Sequence, residues 1–422
     1  MATPKLRFKA FNDDWSLKTI GEIASKVGSG STPRGGAEAY TNEGVIFIRS
    51  QNVNNNQLLL DDVVFIPEAT HKKMSGSKVQ ANDILLNITG ASIGRSCVVS
   101  TTFVEGNVNQ HVCIIRTPND NPIFVQSFLS SEKGQNHIQA KQVGGGREGL
   151  NFQAIRSIDF EIPSKEEQTK IASFLSAVDE KIAQLTQKHE LLSEYKQGMM
   201  QKLFSQQIRF KADDGSEFGE WENKTLGDIT KLVSRRNKSD IDAEIYSVTN
   251  SQGFVKQNEY FEDRRIAGED TSSYKIIKRN EFAYNPARIN VGSIALFNAA
   301  EIGIISSLYV CFSVNENTKI SFLEYFLKLD STIKNYGLYG EGGVRIYLWY
   351  PLFSKIPFNI PCLEEQTKIT NFLSAIDQKI EVVVQQIEQA KQWKKGLLQQ
   401  MFVNILICKV KNHFAFFTLY KT

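Results

Sequence analysis

The sequence has little of what most chemistry requires. Its five cysteines (Cys97, Cys113, Cys311, Cys362, Cys408) are scattered over 422 residues without a Cys-x-x-Cys pair. They read as reduced, mostly buried small hydrophobes of a cytoplasmic protein rather than as a disulfide framework. The five histidines (71, 111, 137, 189 and 413) show no metal-ligand spacing. No stretch of about 18 apolar residues occurs and the N-terminus is polar and basic, so neither a membrane span nor a secretory signal is expected. An excess of one charge sign is also missing, with 49 Lys and Arg against 46 Asp and Glu. A surface for a polyanion must therefore be local.

Catalytic signatures are missing as well. The run Gly28-Ser29-Gly30-Ser31-Thr32-Pro33-Arg34 is not followed by the Gly-Lys-Ser/Thr of a phosphate loop. Tyr284-Asn285-Pro286-Ala287 approaches the Asp/Asn-Pro-Pro-Tyr/Phe signature of DNA aminomethyltransferases but lacks its second proline and terminal aromatic. The matching Leu86-Asn87-Ile88-Thr89 lacks even the first proline. Nothing has the carboxylate-and-lysine arrangement of a nuclease. No cofactor, no metal and no active site are expected.

What the chain does contain, it contains twice. Pro163 to Phe204 aligns without a gap on Pro361 to Phe402, with 20 identities in 42 positions at an offset of 198. Upstream, Asn82, Asp83, Asn87 and Gly94 fall on Asn280, Glu281, Asn285 and Gly292 at the same offset, and Gly144, Gly145 and Arg147 on Gly342, Gly343 and Arg345. Trp15 and Thr19–Ile23 (TIGEI) match Trp221 and Thr225–Ile229 (TLGDI) at an offset of 206, so the first half carries eight more residues between Ile23 and Val79.

The near-identical segments read as long helices. Ile171, Leu175, Val178, Ile182, Leu185, His189, Leu192, Lys196, Met199 and Leu203 follow the four-three steps of a heptad seam, and eight of the ten are apolar. The second seam, Ile369, Leu373, Ile376, Ile380, Val383, Ile387, Ala390, Lys394, Leu397 and Met401, has nine. Two matched stripes of about 40 residues, each about 60 Å long, exceed what one globule needs, so they are expected to pack on each other.

Between the helices, short β-branched and aromatic segments such as Val45 to Ile48, Ile84 to Leu86, His111 to Ile115, Ile304 to Ile305 and Leu308 to Phe312 read as strands. Ile123 to Leu129 and Phe322 to Leu329 read as short helices. The fold class is α+β. The expected organisation is a first globule at 1–162, a helix at 163–206, a second globule at 207–360, a second helix at 361–402 and an atypical tail at 403–422.

At this level the chain resembles the specificity subunit of type I restriction-modification systems. The resemblance rests on GSTPRGG (Gly30 to Gly36), FIRSQNV (Phe47 to Val53), NDILLNITGASIGR (Asn82 to Arg95), EEQTKIASFLSAVDEKI (Glu166 to Ile182) and EEQTKITNFLSAIDQKI (Glu364 to Ile380). It covers residues 1 to about 402. It implies two target recognition domains, each reading one half of a split double-stranded DNA sequence in the major groove, with the helices forming an antiparallel coiled coil. It also implies partners: two methyltransferase subunits docked on that core, joined by restriction and translocase subunits. The family usually stops near Phe402, and the further 20 residues are assigned no role.

Readout in the major groove uses Arg for guanine, Asn or Gln for adenine and Ser or Thr for either. That vocabulary occurs at Arg49, Gln51 and Asn52 in the first globule and at Arg235, Arg236, Asn237 and Lys238 in the second. A second matched pair of stretches places Asn, small residues and Gly after a strand: Asn87, Thr89, Ser92 and Arg95, and Asn285, Arg288 and Asn290. Turns of that composition let a backbone approach a phosphate. Arg147 and Arg345, each beside a glycine run, are further candidates for phosphate or base contact. The competing readings are a coiled-coil adaptor without DNA affinity and a single-chain enzyme carrying its own methyltransferase.

Overall fold

The computed structural model describes residues 4–142, 149–239, 241, 243–260, 271–343 and 346–402. The expected tail at 403–422 lies outside these residues, as do Arg147 and Arg345. Chain contacts divide the protein into two units, one of residues 1–186 and 385–422 and one of residues 187–384. Each unit therefore takes the start of one long helix and the end of the other.

In the first unit, the antiparallel sheet orders Lys26–Ser29, Val112–Arg116, Ile84–Asn87 and Ser96–Val98. A second sheet orders Val64–Ile66, Val45–Ile48, Gly106–Val108 and Lys78–Val79, and its central pair, 45–48 with 106–108, is parallel. The second unit repeats the first sheet as Thr230–Val233, Val310–Val314, Phe282–Tyr284 and Ile294–Leu296. Its other sheet has five strands: Arg235–Arg236, Lys275–Lys278, Ile302–Ile305, Ile245–Thr249 and Gly253–Lys256. The strand expected from Leu308 begins instead at Val310. Leu308 is 67% exposed in the turn before it.

Repeated local chemistry builds the repeated frame. Thr19 and Glu22 form a capping box in which the Thr19 amide donates to Glu22 Oε2 at 2.6 Å, and Thr225 and Asp228 repeat it at 2.7 Å. These hydrogen bonds hold both carboxyls below the ordinary carboxylate range. The glycine between the paired residues is needed for space, since a Cβ on Gly227 would meet Ser354 at 3.0 Å. This accounts for TIGEI and TLGDI recurring.

The long helices span Lys165–Phe204 and Leu363–Phe402. In the first unit, Ile171, Leu175 and Val178 at the start of the first helix share a core with Leu397, Leu398, Met401 and Phe402 at the end of the second. In the second unit, Met200 and Leu203 at the end of the first helix share a core with Ile369, Leu373 and Ile376 at the start of the second. Start meets end in both, so the helices pack antiparallel. The seam lysines that interrupt the apolar stripe are explained: Lys394 pairs with Asp179 at 2.5 Å and Lys196 with Asp377 at 2.5 Å. The two pairs are related by the offset of 198.

A clasp at the start of each helix ties it to its unit. Glu167 is 1% exposed and accepts from Arg7 Nε and Nη2, both at 2.8 Å. Glu365, fully buried, accepts from Arg209 at 3.0 and 2.7 Å and from Trp221 Nε1 at 3.1 Å. The next residue completes it. Gln168 accepts from the Asn121 amide at 2.8 Å and donates to Pro163 O at 3.0 Å, and Gln366 does the same with Lys319 and Pro361 at 2.8 and 2.9 Å. Each glutamine thus fixes the N-terminus of a short helix, Pro122–Ser130 or Ile320–Leu327.

Burial pushes the thiols of Cys97 and Cys113 up to about 12 and that of Cys311 to about 11, whereas Cys362 is exposed. No helix among the described residues is long and apolar enough to cross a membrane.

Removing one partner of a buried ion pair leaves an uncompensated charge and costs about 3 kcal/mol or more. Glu365→Ala is therefore expected to lower the unfolding free energy of the second unit by about that much, whereas Lys211→Ala, which breaks the solvent-exposed pair with Glu217, is expected to change it by less than about 1 kcal/mol. Equal effects in urea unfolding would show that the clasp is not what holds the helix to its unit.

Candidate nucleic-acid interface

The candidate residues of the first unit fall into two sets, one that builds a platform and one that stands on it. Asn52 is 2% exposed. Its Oδ1 accepts from the Arg49 amide at 2.9 Å while Nδ2 donates to Leu59 O at 3.1 Å and Asp62 O at 2.9 Å. Asn87, fully buried, donates Nδ2 to Ser50 O at 2.8 Å and to Val53 O at 3.3 Å. In this structure both amides are committed to the backbone of the 49–62 segment and are withheld from solvent.

The hairpin at the centre of that segment, Val53–Asn54 with Gln57–Leu58, turns through Asn55 and Asn56 at φ of 50° and 60°. Asn tolerates this left-handed region better than most residues. Asn56 Oδ1 then accepts from Gln126 at 3.0 Å and Ser130 at 2.8 Å, which pins the turn to helix Pro122–Ser130. On the platform stand Arg49, whose side chain is 29% exposed, and the exposed Gln51.

Asp62 lies beside both, 2.7 Å from Gln51 Nε2 and 3.9 Å from Arg49 Nη2. Sequence reading does not find Asp62, because it comes 11 residues after Gln51. The signal lies in the loop register that Asn52 sets.

The 87–95 stretch presents a second group. Thr89 bonds His111 Nδ1 at 2.6 Å, and His111 Nε2 lies 3.0 Å from Gln110 Nε2, while Oε1 of the same glutamine accepts from Thr32 Oγ1. Ser92 is half-buried in the turn Gly90–Ser92 and Arg95 is exposed. Gly94 has φ of 85°, and a Cβ there would meet Gln135 Oε1 at 2.5 Å. A side chain already covers that face, so this glycine serves the turn rather than an open cradle.

In the second unit Arg235 is drawn inward to an ion pair with Glu281, a residue 8% exposed, while Arg236 and Lys238 are exposed. Asn237 is fully buried, its Oδ1 accepting from the Ile241 amide at 2.8 Å and its Nδ2 donating to Thr271 at 3.2 Å. Asn285 closes its own turn, accepting from the Ala287 amide at 3.0 Å. Tyr284, beside it, is buried and stacked on Phe353 at 5.0 Å. Arg288 is exposed and Asn290 half-buried.

The parallel-paired strand Ile245–Thr249 has the topology of Val45–Ile48, and Ser251-Gln252 follows it as Ser50-Gln51 follows the other. Gln252 is exposed in the segment after its strand, as Gln51 is after the other. The eight-residue difference between the halves hides this match from a fixed offset. Among the described residues no group of three His, Cys, Asp or Glu is placed to hold a metal.

Comparison with known proteins adds to this geometry. The model of the type I restriction modification DNA specificity domain matches residues 12–194 and again 219–392. A putative type I restriction enzyme MjaX specificity subunit of Methanocaldococcus jannaschii is 22% identical over 405 residues, 92% of each chain. The type I restriction enzyme MjaVIII specificity subunit of the same organism is 25% identical over 357 residues, covering 79% of this chain and 81% of that one. Among solved structures, a type I restriction-modification S subunit from M. genitalium is 18% identical with a TM-score of 0.55, covering 96% of this chain and all of the other. A chain from a study of complex assembly and conformational transition of the type I R-M system is 13% identical with a TM-score of 0.56, covering 93% and 98%.

Asn52→Ala leaves two carbonyls and one amide without partners, and each buried orphan costs about 1 kcal/mol or more. The first unit is expected to lose about 3 kcal/mol in denaturant unfolding. Gln51→Ala, at an exposed position, is expected to stay within about 0.5 kcal/mol. The reverse ranking would mean that Asn52 does not hold the loop.

Proposed function

The chain belongs to the family of type I restriction modification DNA specificity domains, of which it carries two copies, and from that premise we infer that it is the subunit that selects the DNA sequence on which such a system acts. The observation that carries this reading is a frame repeated in both halves and carrying two different sets of partly or fully exposed readout side chains. Arg49 and Gln51 stand on one, and Arg236, Lys238 and Gln252 on the other. Two unlike readers on like frames suit a target of two unlike halves. Arg95, Arg288 and the arginines 147 and 345 are proposed phosphate or base contacts, as are Thr89, Ser92 and Asn290. Asn52, Asn87, Asn237 and Asn285 contribute through the loops they hold, and Arg235 through Glu281.

Methyl transfer and cleavage belong to partners. Asn285 is engaged in its own turn, accepting from the Ala287 amide, beside the stacked Tyr284 and Phe353. Two methyltransferase subunits and restriction and translocase subunits are proposed to assemble on this chain, in the cytoplasm. The domain divisions at 162, 206, 360 and 402 are proposed as the boundaries of recognition domains and connecting helices.

The purified chain is expected to show neither methyl transfer nor cleavage, and, with a methyltransferase partner, to bind duplex DNA with a steep salt dependence. About six phosphate contacts imply a loss of about a thousandfold between roughly 50 and 200 mM salt. A flat salt response would favour the adaptor reading, and turnover abolished by Asn285→Ala would favour the single-chain enzyme.

A further inference from the structure

We propose that Asp62 is a positioning residue for sequence readout by the first unit, aiming Arg49 and Gln51 at base edges rather than at phosphates. The inference rests on the reading of this unit as a DNA reader. Its starting point is geometric: one carboxylate lies beside the exposed Gln51 and the partly exposed Arg49, Oδ2 at 2.7 Å from Gln51 Nε2 and Oδ1 at 3.9 Å from Arg49 Nη2.

The platform beneath makes that contact reproducible. The carbonyl of Asp62 is held by Asn52 Nδ2 at 2.9 Å, and the amide of Arg49 by Asn52 Oδ1 at 2.9 Å. One buried side chain therefore fixes the spacing between the residue that positions and a residue that is positioned. Asn87 fixes Ser50 and Val53 from below, and Asn56 fixes the hairpin that follows them. A loop held at so many points presents its side chains with little entropy left to lose on binding.

The charge of Asp62 decides which part of DNA this cluster suits. Its side chain is 83% exposed, so it faces whatever the loop faces. An exposed carboxylate repels phosphates and offsets the charge of Arg49, which makes the cluster a poor backbone anchor. Base edges carry no formal charge, so the penalty there is smaller. With Nε2 also engaged by Asp62, Gln51 retains its carbonyl oxygen and a second N–H, the pair that meets the amino group and N7 of adenine. Arg49 retains the guanidinium N–H groups that suit guanine O6 and N7. Asp62 thus trades general affinity for discrimination.

The test uses the full chain expressed with its methyltransferase partner in a host free of other methylation, with every modified site sequenced. Asp62→Asn and Asp62→Ala are expected to relax one or two adjacent positions in one half of the target, lowering discrimination there by about tenfold or more. The other half and the thermal midpoint are expected to stay unchanged, and Asp62→Glu to restore part of the discrimination. An unchanged target in the Asp62 variants, with Gln51→Ala altering one position, overturns the positioning role and leaves DNA reading intact. An unchanged target with tighter non-specific binding overturns it also, since Asp62 would then act by charge alone. Wild-type protein that directs methylation to no defined sequence removes the functional reading itself.

Discussion

A carboxylate that is fully buried cannot stay ionised without a cation and hydrogen bonds to replace water. Glu167 and Glu365 meet this condition in the same way. Each sits in the first turn of a long helix and takes a bidentate bond from an arginine about 160 residues earlier in the chain, Arg7 or Arg209. Much of the frame follows from that requirement. The arginine brings with it a phenylalanine, Phe8 or Phe210, that packs on Phe174 or Phe372 at 5.8 and 5.6 Å. The adjoining glutamine fixes the short helix of the globule. Leu6 then donates to Gln400 O at 3.0 Å, as Ile208 donates to Lys202 O at 3.3 Å. Within the first unit the N-terminal segment meets the end of the second long helix as residue 208 meets the end of the first.

Much of this was legible in the sequence because it depends on periodicity and on residue pairs at one offset. The seams of both helices, their mutual packing, the α+β class and the division into repeated halves all reflect patterns that recur every three, four or 198 residues. The clasp was not. Arg7-Phe8-Lys9-Ala10 and Arg209-Phe210-Lys211-Ala212 are identical, but four residues at an offset of 202 carry weight only when Glu167 and Glu365 are seen to need them. Two glutamates open each long helix, where the helix dipole favours them, yet one of each pair serves the arginine.

The candidate interface was legible as vocabulary but not as roles. Arg, Asn, Gln and Ser in a loop are the residues that read bases, and they are also the residues that hold loops together. Sequence alone does not separate the uses, because the difference lies in burial. Asn52, Asn87 and Asn237 point inward to backbone groups, while Gln51, Arg236 and Lys238 point outward. Asp62 escaped notice because a carboxylate is an unexpected companion for DNA-facing cations. Difference in readout on a repeated frame has a physical logic. The frame is over-determined by buried pairs, so exposed side chains can change at little cost in stability, and specificity with them.

The central claim, that each unit carries its own reader, is tested most directly by exchanging residues 225 to 345 for the equivalent region of a relative and sequencing the methylated sites of cells carrying the chimera. The account predicts that one half of the target changes and the other is retained. A target altered in both halves, or in neither, would contradict it.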